Sequence, residues 1–384
     1  MKILQVLPFF TPARGGSVIA PYSLSRELSK LGHEVTIITT DFEFNKEYAR
    51  TLEKIGIKVI PFHCIVNVKL FLISPGMKKW LKENIKNFDV IHMHNFRSYQ
   101  NSIVYKYASK YDIPYILQAH GSLPRITEKQ GLKKLYDWVW GYRILKDATK
   151  VIALTPTEAE QYKSMGVSED KIEIIPNGID LAEFENLPPK GEFRQKYGLN
   201  DNEKVILYLG RTHQIKGIDL LVKAFTDLSK EIDDVKLVIV GPDDGYLPRL
   251  KKLIKELQIE NKVLLTGPIY GKDKLKAYID ADVFVLPSVY ETFPNTVIEA
   301  CACGVPVVLT NRCQIADIID GQAGLVVPYD KKELGKAIMR ILNYEDLRQE
   351  FSERGKMLVR EQFCWEKIGK RLEMVYESCL SSGY

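Results

Sequence analysis

This 384-residue sequence predicts two doubly wound α/β domains. Three observations lead there. Short apolar runs alternate with amphipathic stretches from end to end, as in parallel sheets covered on both faces. The rhythm breaks once, at the polar segment LPPKGEFRQKYGLNDNE that starts at Leu187, and then restarts. At about 150 residues per domain, the length suits two or three units that each bury a core.

The elements follow in order. KILQVLP (from Lys2) reads as a buried strand, and Tyr22 to Leu31 carries apolar residues at helical spacing up to a stop at Gly32. EVTIITT, IKVIPF, DVIHMH, PYILQAH, KVIAL and IEIIP read as further strands of the first domain. KVILYLG, VKLVIVG, KVLLTG, DVFVLPS, VPVVLT and AGLVVP read as the strands of the second. Each run is too short for a helix and suits a fully buried strand. Phe363 to Leu380 places Trp365, Ile368, Leu372, Val375 and Tyr376 on one helical face, a terminal helix expected to cross back onto the first domain. The expected units are 1–185, 186–362 and a terminal helix at 363–384. In such sheets ligands sit beyond the carboxyl ends of the strands, so the site is expected in a cleft between two facing domains.

Composition narrows the class. With 45% hydrophobic and 27% charged residues, the chain is an ordinary globular one. No apolar window is long enough for a membrane span, and MKILQVLPFF begins a strand rather than a signal peptide. Six cysteines form no CxxC pair or zinc spacing, which reads as a reduced, cytoplasmic protein. Residues 1–185 hold 25 Lys+Arg against 20 Asp+Glu; residues 186–384 hold 29 of each, so the net +5 lies wholly in the first half. That asymmetry points to an anionic partner for the first half.

Four constellations carry chemistry. Pro12 to Ser17 places Gly15 and Gly16 between the first strand and first helix, where free N–H groups and the helix dipole suit a phosphate. It is not GxGxxG, and the second strand ends Thr39-Thr40 without a ribose-binding acid, which disfavours a dinucleotide oxidoreductase. GRTHQIKG (Gly210 to Gly217) sets Arg211 and Lys216 five apart on a loop entering a helix, two cations placed to hold a diphosphate. The plain alternative is a solvated basic turn. SVYETFPNTVIEACACG (Ser288 to Gly304) carries Glu291 before a helix that begins near Pro294, and Glu299 inside it. The N–H groups of Asn295 and Thr296 would face a phosphate, and the carboxylates could accept hydrogen bonds from sugar hydroxyls or a ribose diol. The alternative for either glutamate is a charge that merely stabilises its helix. QAHGS (Gln118 to Ser122) ends a first-domain strand with His120 aimed at the cleft. His92 and His94 alternate onto one strand face, but no third ligand has suitable spacing, so no metal site is expected.

In this order, the four motifs resemble the retaining glycosyltransferases of family 4, which have the two-Rossmann-domain GT-B fold. The resemblance covers nearly the whole chain. It includes IPNGID (Ile175 to Asp180) and is most specific in the paired glutamates followed by Ala-Cys-Gly-Val-Pro-Val-Val. It implies an acceptor-side first domain and a donor-binding second domain. Arg211 and Lys216 would bind the donor diphosphate, Glu299 the ribose, and Glu291 the hydroxyls of the donor sugar. Asn295 and Thr296 would give backbone contacts, Gly16 would approach the diphosphate, His120 would lie near the reaction centre, and backbone around Ile269 would hold the base. Pro294 departs from the glycine common in the family and removes one N–H donor.

The implied activity is retaining, metal-independent transfer of a hexose from a nucleotide-diphosphate sugar to a hydroxyl of a glycan or lipid-linked acceptor, in cell-surface glycan or glycolipid synthesis. No cofactor or divalent metal is expected; Arg211, Lys216 and a helix dipole would stabilise the leaving phosphate. Asp243-Asp244 reads as a turn rather than a metal motif. Lys78, Lys79, Lys82 and Lys86, and Lys129, Lys133 and Lys134 with Tyr136, Trp138, Trp140 and Tyr142, form basic and aromatic patches. They would rest on an anionic membrane at the inner face of the cell; the plain alternative is solvated helix faces over an aromatic core stripe. Nucleic acid is not an expected partner. A non-catalytic nucleotide-sugar binding protein and a sugar-nucleotide epimerase are the alternative functions.

Overall fold

The computed structural model describes residues 1–68, 71–125 and 130–381. Lys129 of the basic patch lies outside the described residues. The chain forms two units, Met1–Gly178 with Trp365–Tyr384, and Ile179–Cys364. It passes between them at 178/179 and 364/365, against the expected 185/186 and 362/363.

Unit 1 is built on β1 (Lys2–Val6), β2 (Glu34–Thr40), β3 (Lys58–Phe62), β6 (Val90–His94), β7 (Tyr115–Gln118), β8 (Lys150–Ala153) and β9 (Ile172–Ile174). These seven strands are parallel and lie in the order β3-β2-β1-β6-β7-β8-β9. A small antiparallel hairpin, β4 (Val66–Val68) and β5 (Phe71–Ile73), stands apart from this sheet. The runs that alternate Ile3/Leu4 and Ile37/Ile38 feed opposite faces, so two apolar cores form, one per face. Trp365, Ile368, Leu372, Val375 and Tyr376 of the terminal helix Trp365–Ser381 belong to one of them, beside Leu24 and Leu28 of the helix Gly16–Lys30. Gly369 permits this contact, since a Cβ there would press on the Glu27 side chain.

Unit 2 is built on β10 (Lys204–Leu209), β11 (Val235–Val240), β12 (Val263–Gly267), β13 (Val283–Leu286), β14 (Val307–Thr310) and β15 (Gly324–Val327). All six are parallel, in the order β12-β11-β10-β13-β14-β15. This is the doubly wound order that reverses between its first and fourth strands. In each unit, the strand order therefore reverses at one place, between β1 and β6 in unit 1 and between β10 and β13 in unit 2. A crevice opens there beyond the carboxyl ends, because the helices that follow the two strands go to opposite faces.

Two sequence expectations are corrected. The first helix begins at Gly16 rather than Tyr22 and runs through Pro21, which has no N–H to give the Ser17 carbonyl one turn back. The aromatic stretch is not a core stripe: Tyr136 is buried, but Trp138 is 77% exposed, and Trp140 and Tyr142 also face outward. Residues two apart do not share a helix face, so positions 136, 138, 140 and 142 could not all point into one core.

Candidate active site

In unit 2, the candidate residues follow the carboxyl ends of β10, β12 and β13. The loop after β10 enters the helix Ile218–Leu228 through Gly217, whose φ is 63°. A Cβ at Gly217 would collide with the carbonyl oxygen of Pro287, so only glycine lets this loop lie against the chain leaving β13. Val289 N–H donates to the Ile215 carbonyl at 2.8 Å and joins the two loops.

That junction brings Lys216 and Glu291 together in an ion pair, with both side chains mostly covered (16% and 17% exposed). Backbone bonds hold Glu291 itself: its N–H donates to Arg312, and its carbonyl accepts from Gln314. Arg211 does not join this pair. Its guanidinium is 57% exposed and donates to Asp244 at 2.5 Å. Asp243 accepts from the backbone N–H groups of Gly245, Tyr246 and Leu247, so the Asp-Asp segment is a turn.

The helix Asn295–Ala302 starts just past Glu291, with Pro294 as its cap. The amides of Asn295 and Thr296 stand in its first turn, where no carbonyl lies four residues back within the helix. Glu299, one turn further on, accepts from Lys274 at 2.7 Å and from the Tyr278 hydroxyl at 3.0 Å. Burial and the neighbouring Glu299 charge hold the Tyr278 phenol well above its ordinary pKa, so it remains a neutral donor. Ile269 lies half-buried in the coil directly after β12, followed by the exposed Tyr270.

Sequence reasoning did not find Lys274 or Tyr278. Their i, i+4 spacing on the helix Gly271–Ile279 was the available signal, and it is lost in the lysine-rich run GKDKLK.

In unit 1, Gly15 (φ 68°) turns the chain from Pro12–Arg14 into the helix at Gly16. A Cβ at Gly15 would meet nothing within 4 Å. Arg14 is engaged by a bidentate pair with Glu43 at 2.7 Å.

His120 follows β7 at φ 51°, a left-handed conformation that non-glycine residues adopt at a cost. The turn is held from several sides. Gly121 N–H donates to Glu158 at 2.6 Å, Ser122 hydroxyl to Ala119 carbonyl at 2.5 Å, and Arg97 to the carbonyls of Ser122 and Leu123. Arg97 is in turn fixed by the buried Asp137. Burial raises the Glu158 carboxyl to about 7 despite two backbone N–H donors.

The His120 ring lies against His94, with His94 Nδ1 2.9 Å from His120 Nε2. His94 Nε2 meets Gln5 Oε1 at 2.5 Å, and His92 Nδ1 meets the Tyr376 hydroxyl at 2.7 Å. Burial pushes the His92 and His120 rings down to about 3, and they are neutral. No group of three or more metal-ligating side chains occurs among the described residues.

The arrangement offers two cations and a helix N-terminus to an anion, and two carboxylates to hydroxyls. Comparison with known proteins fits it. Residues 14–183 match the family described as Glycosyltransferase Family 4, and residues 189–357 match Glycosyl transferases group 1. An uncharacterized glycosyltransferase of Methanocaldococcus jannaschii is 29% identical, covering 98% of each chain. The alpha-monoglucosyldiacylglycerol synthase of Streptococcus pneumoniae is 29% identical over 100% of this chain and 87% of its own. The Anabaena protein HepE, solved with UDP and glucose, superposes with a TM-score of 0.82 at 18% identity, covering 98% of this chain and 100% of its own. The chain belongs to the group 1 glycosyltransferases of the GT-B fold and is a glycosyltransferase enzyme, which sets aside the epimerase and non-catalytic readings.

Proposed function

We propose that the enzyme moves a hexose from a nucleotide-diphosphate sugar to a hydroxyl of a lipid-linked or glycan acceptor, with retained anomeric configuration and without a divalent metal. The observation that carries this reading is the Lys216–Glu291 pair beside the start of the helix Asn295–Ala302. A glycosyl–diphosphate bond breaks through an oxocarbenium-like state while charge grows on the leaving phosphate. Lys216 has three donors, so it can keep Glu291 oriented while it binds phosphate. Glu291 then accepts hydrogen bonds from the sugar hydroxyls. Arg211, freed from the exposed Asp244, would add a second cation, and the amides of Asn295 and Thr296 would add the helix dipole. Glu299, held by Lys274 and Tyr278, keeps lone pairs for a ribose diol. The half-buried Ile269 marks the backbone stretch for the base.

A thermal-shift screen against UDP-, GDP- and ADP-sugars identifies the donor. A ligand at 100 times its Kd adds about 2.7 kcal/mol to stability. Transfer is then followed with and without EDTA, and the product anomer is read by NMR. Loss of activity in EDTA, or an inverted anomer, overturns the corresponding part of the reading.

A lipid-borne acceptor draws support from unit 1. Leu132, Leu135 and Trp138 are 58%, 56% and 77% exposed, with Lys134 exposed between them. Lys78, Lys79, Lys82 and Lys86 are also exposed. Apolar and aromatic side chains with interleaved lysines suit an anionic bilayer surface. The name of one relative, the alpha-monoglucosyldiacylglycerol synthase, specifies a glycolipid product and supports this reading. No helix among the described residues is long and apolar enough to cross a membrane, so any attachment through them would be peripheral. Flotation with anionic vesicles at low and high salt tests it, and absence of binding at low salt sinks it.

A further inference from the structure

The buried polar chain behind His120 has a direction that its distances determine. Gln5 lies on β1 directly opposite His92 of β6 in the sheet register, and His94 is two residues further along the same face. All three side chains are fully buried. The Gln5 amide bridges His94 Nε2, 2.5 Å away, and the Tyr376 hydroxyl, 3.3 Å away.

One amide orientation fits the two distances better than the other. With Oε1 toward His94, the short contact is N–H···O and the long one is N–H···O from the amide nitrogen. With the amide turned over, a 2.5 Å contact would join two nitrogens, and an O–H···O bond would stretch to 3.3 Å; both are unfavourable. The remaining protons follow. Gln5 Oε1 only accepts, so His94 carries its proton on Nε2. The neutral His94 ring then presents a lone pair at Nδ1, and His120 Nε2, 2.9 Å away, must donate to it. That leaves His120 Nδ1 without a proton. It is buried and has no hydrogen-bond partner. At the other end, the Gln5 amide donates to Tyr376, whose hydroxyl donates to His92 Nδ1 at 2.7 Å.

We propose that Gln5, His94 and Tyr376 are positioning residues that hold His120 in its Nε2–H tautomer, so that Nδ1 accepts a hydrogen bond from a hydroxyl of the bound sugar or acceptor. The hydroxyl half of this proposal rests on the reading of His120 as lying at the reaction centre; the tautomer half stands on the chain alone. A single amide turned over would reverse every proton in the chain and make Nδ1 a donor. Tyr376, on the terminal helix and 371 residues from Gln5 in sequence, disfavours that, since the turned-over amide would leave its O–H···O contact stretched to 3.3 Å. The terminal helix thereby acts on the chemistry without touching substrate.

The test is long-range ¹H–¹⁵N correlation NMR of the full chain labelled with ¹⁵N-histidine, with His120→Asn and His94→Asn as assignment variants. His120 and His94 are expected as Nε2–H tautomers. A protonated Nδ1 at His120 overturns the proposal.

Gln5→Leu removes the acceptor, and His120 is expected to populate both tautomers. kcat is expected to fall by about tenfold or more, with little change in the donor KM. Gln5→Glu, which restores an acceptor to His94, is expected to restore the Nε2–H tautomer. Tyr376→Phe is isosteric and removes only the hydroxyl; it is expected to mix the tautomers even if Gln5→Leu folds poorly. An unchanged His120 spectrum in Tyr376→Phe and Gln5→Leu overturns the relay. A mixed tautomer with undiminished kcat keeps the relay but removes His120 from the reaction centre, so the two failures are distinguishable.

Discussion

The two units carry their candidate residues on the same edge of the same kind of sheet, yet by opposite means. Unit 2 presents paired charges on loops and helices: Arg211 with Asp244, Lys216 with Glu291, and Lys274 with Glu299. The first two pairs join segments that follow neighbouring strands, and the third joins the helices that follow β12 and β13. Unit 1 presents a neutral ring, His120, backed by a fully buried chain of histidine, glutamine and tyrosine. A cation paired with a carboxylate can turn to a phosphate and relax back onto its partner when the ligand leaves. A buried neutral chain cannot supply charge, but it can define where one proton sits. The difference matches a division of labour in which one unit binds an anion and the other orders a hydroxyl.

The largest expected effect falls on unit 2. Lys216→Ala removes the cation for the leaving phosphate and leaves Glu291 a partly buried, unpaired carboxylate. kcat is expected to drop by about 10²–10³, with a smaller loss of stability of about 1–3 kcal/mol from the unpaired carboxylate. Glu291→Ala should act comparably, since it frees Lys216 and removes the acceptor for sugar hydroxyls. Near-normal transfer by either variant would break the comparison, because the charges of unit 2 would then be surface decoration. Gly217→Ala comes next. Its Cβ would strike the Pro287 carbonyl and force the loop holding Lys216 away from β13, at a positive φ. A loss of about 3 kcal/mol of stability is expected, read as a lower denaturant midpoint.

Acid should separate the units. His92 is neutral when folded, with its pKa at about 3 against 6.5 in the unfolded chain. The unfolded state therefore binds more protons between these values, and stability falls as pH drops below 6.5. From pH 6.5 to 5 this one ring costs about 2 kcal/mol. His94 and His120 shift in the same direction. Glu158 opposes them: its folded pKa of about 7 lies above the ordinary 4.5, so it strengthens folding as pH falls through 7 toward 4.5. The histidines outnumber it, and unit 1 is expected to lose hydrogen-exchange protection before unit 2 as pH falls from 6.5 to 5. Earlier opening of unit 2 would refute this balance.

Much of this architecture could be read from the sequence, and the reason is locality. All thirteen strands of the two large sheets were visible as apolar runs, because a strand buried on both faces writes its burial into consecutive residues. Arg211, Lys216, Glu291 and Glu299 were visible because each lies within a few residues of a strand end and a helix start. The hairpin Val66–Val68 with Phe71–Ile73 was missed, since strands of three residues are too short to stand out as runs. The Lys216–Glu291 pair spans 75 residues and the Gln5–Tyr376 bond 371. Such contacts depend on which strands become neighbours, and that follows from topology rather than from spacing. His92 and His94 were seen to share a face, but the glutamine and tyrosine that complete the chain carry no local signal.

The smallest expected effect on stability tests whether the outer surface of unit 1 belongs to the same division. Trp138 is 77% exposed, so Trp138→Ala removes almost no buried area and should change folding stability by no more than about 0.5 kcal/mol. A tryptophan that rests at a bilayer surface buries its ring there instead, and its loss would be felt only in the bound state. Vesicle flotation should then weaken while transfer to a soluble acceptor analogue stays at the wild-type rate. If Trp138→Ala lowers stability by several times that amount, the side chain packs within the protein and the exposed face is not a docking surface. If stability and vesicle binding are both unchanged, unit 1 meets its acceptor through the His120 edge alone, and its net charge acts by long-range steering rather than by contact.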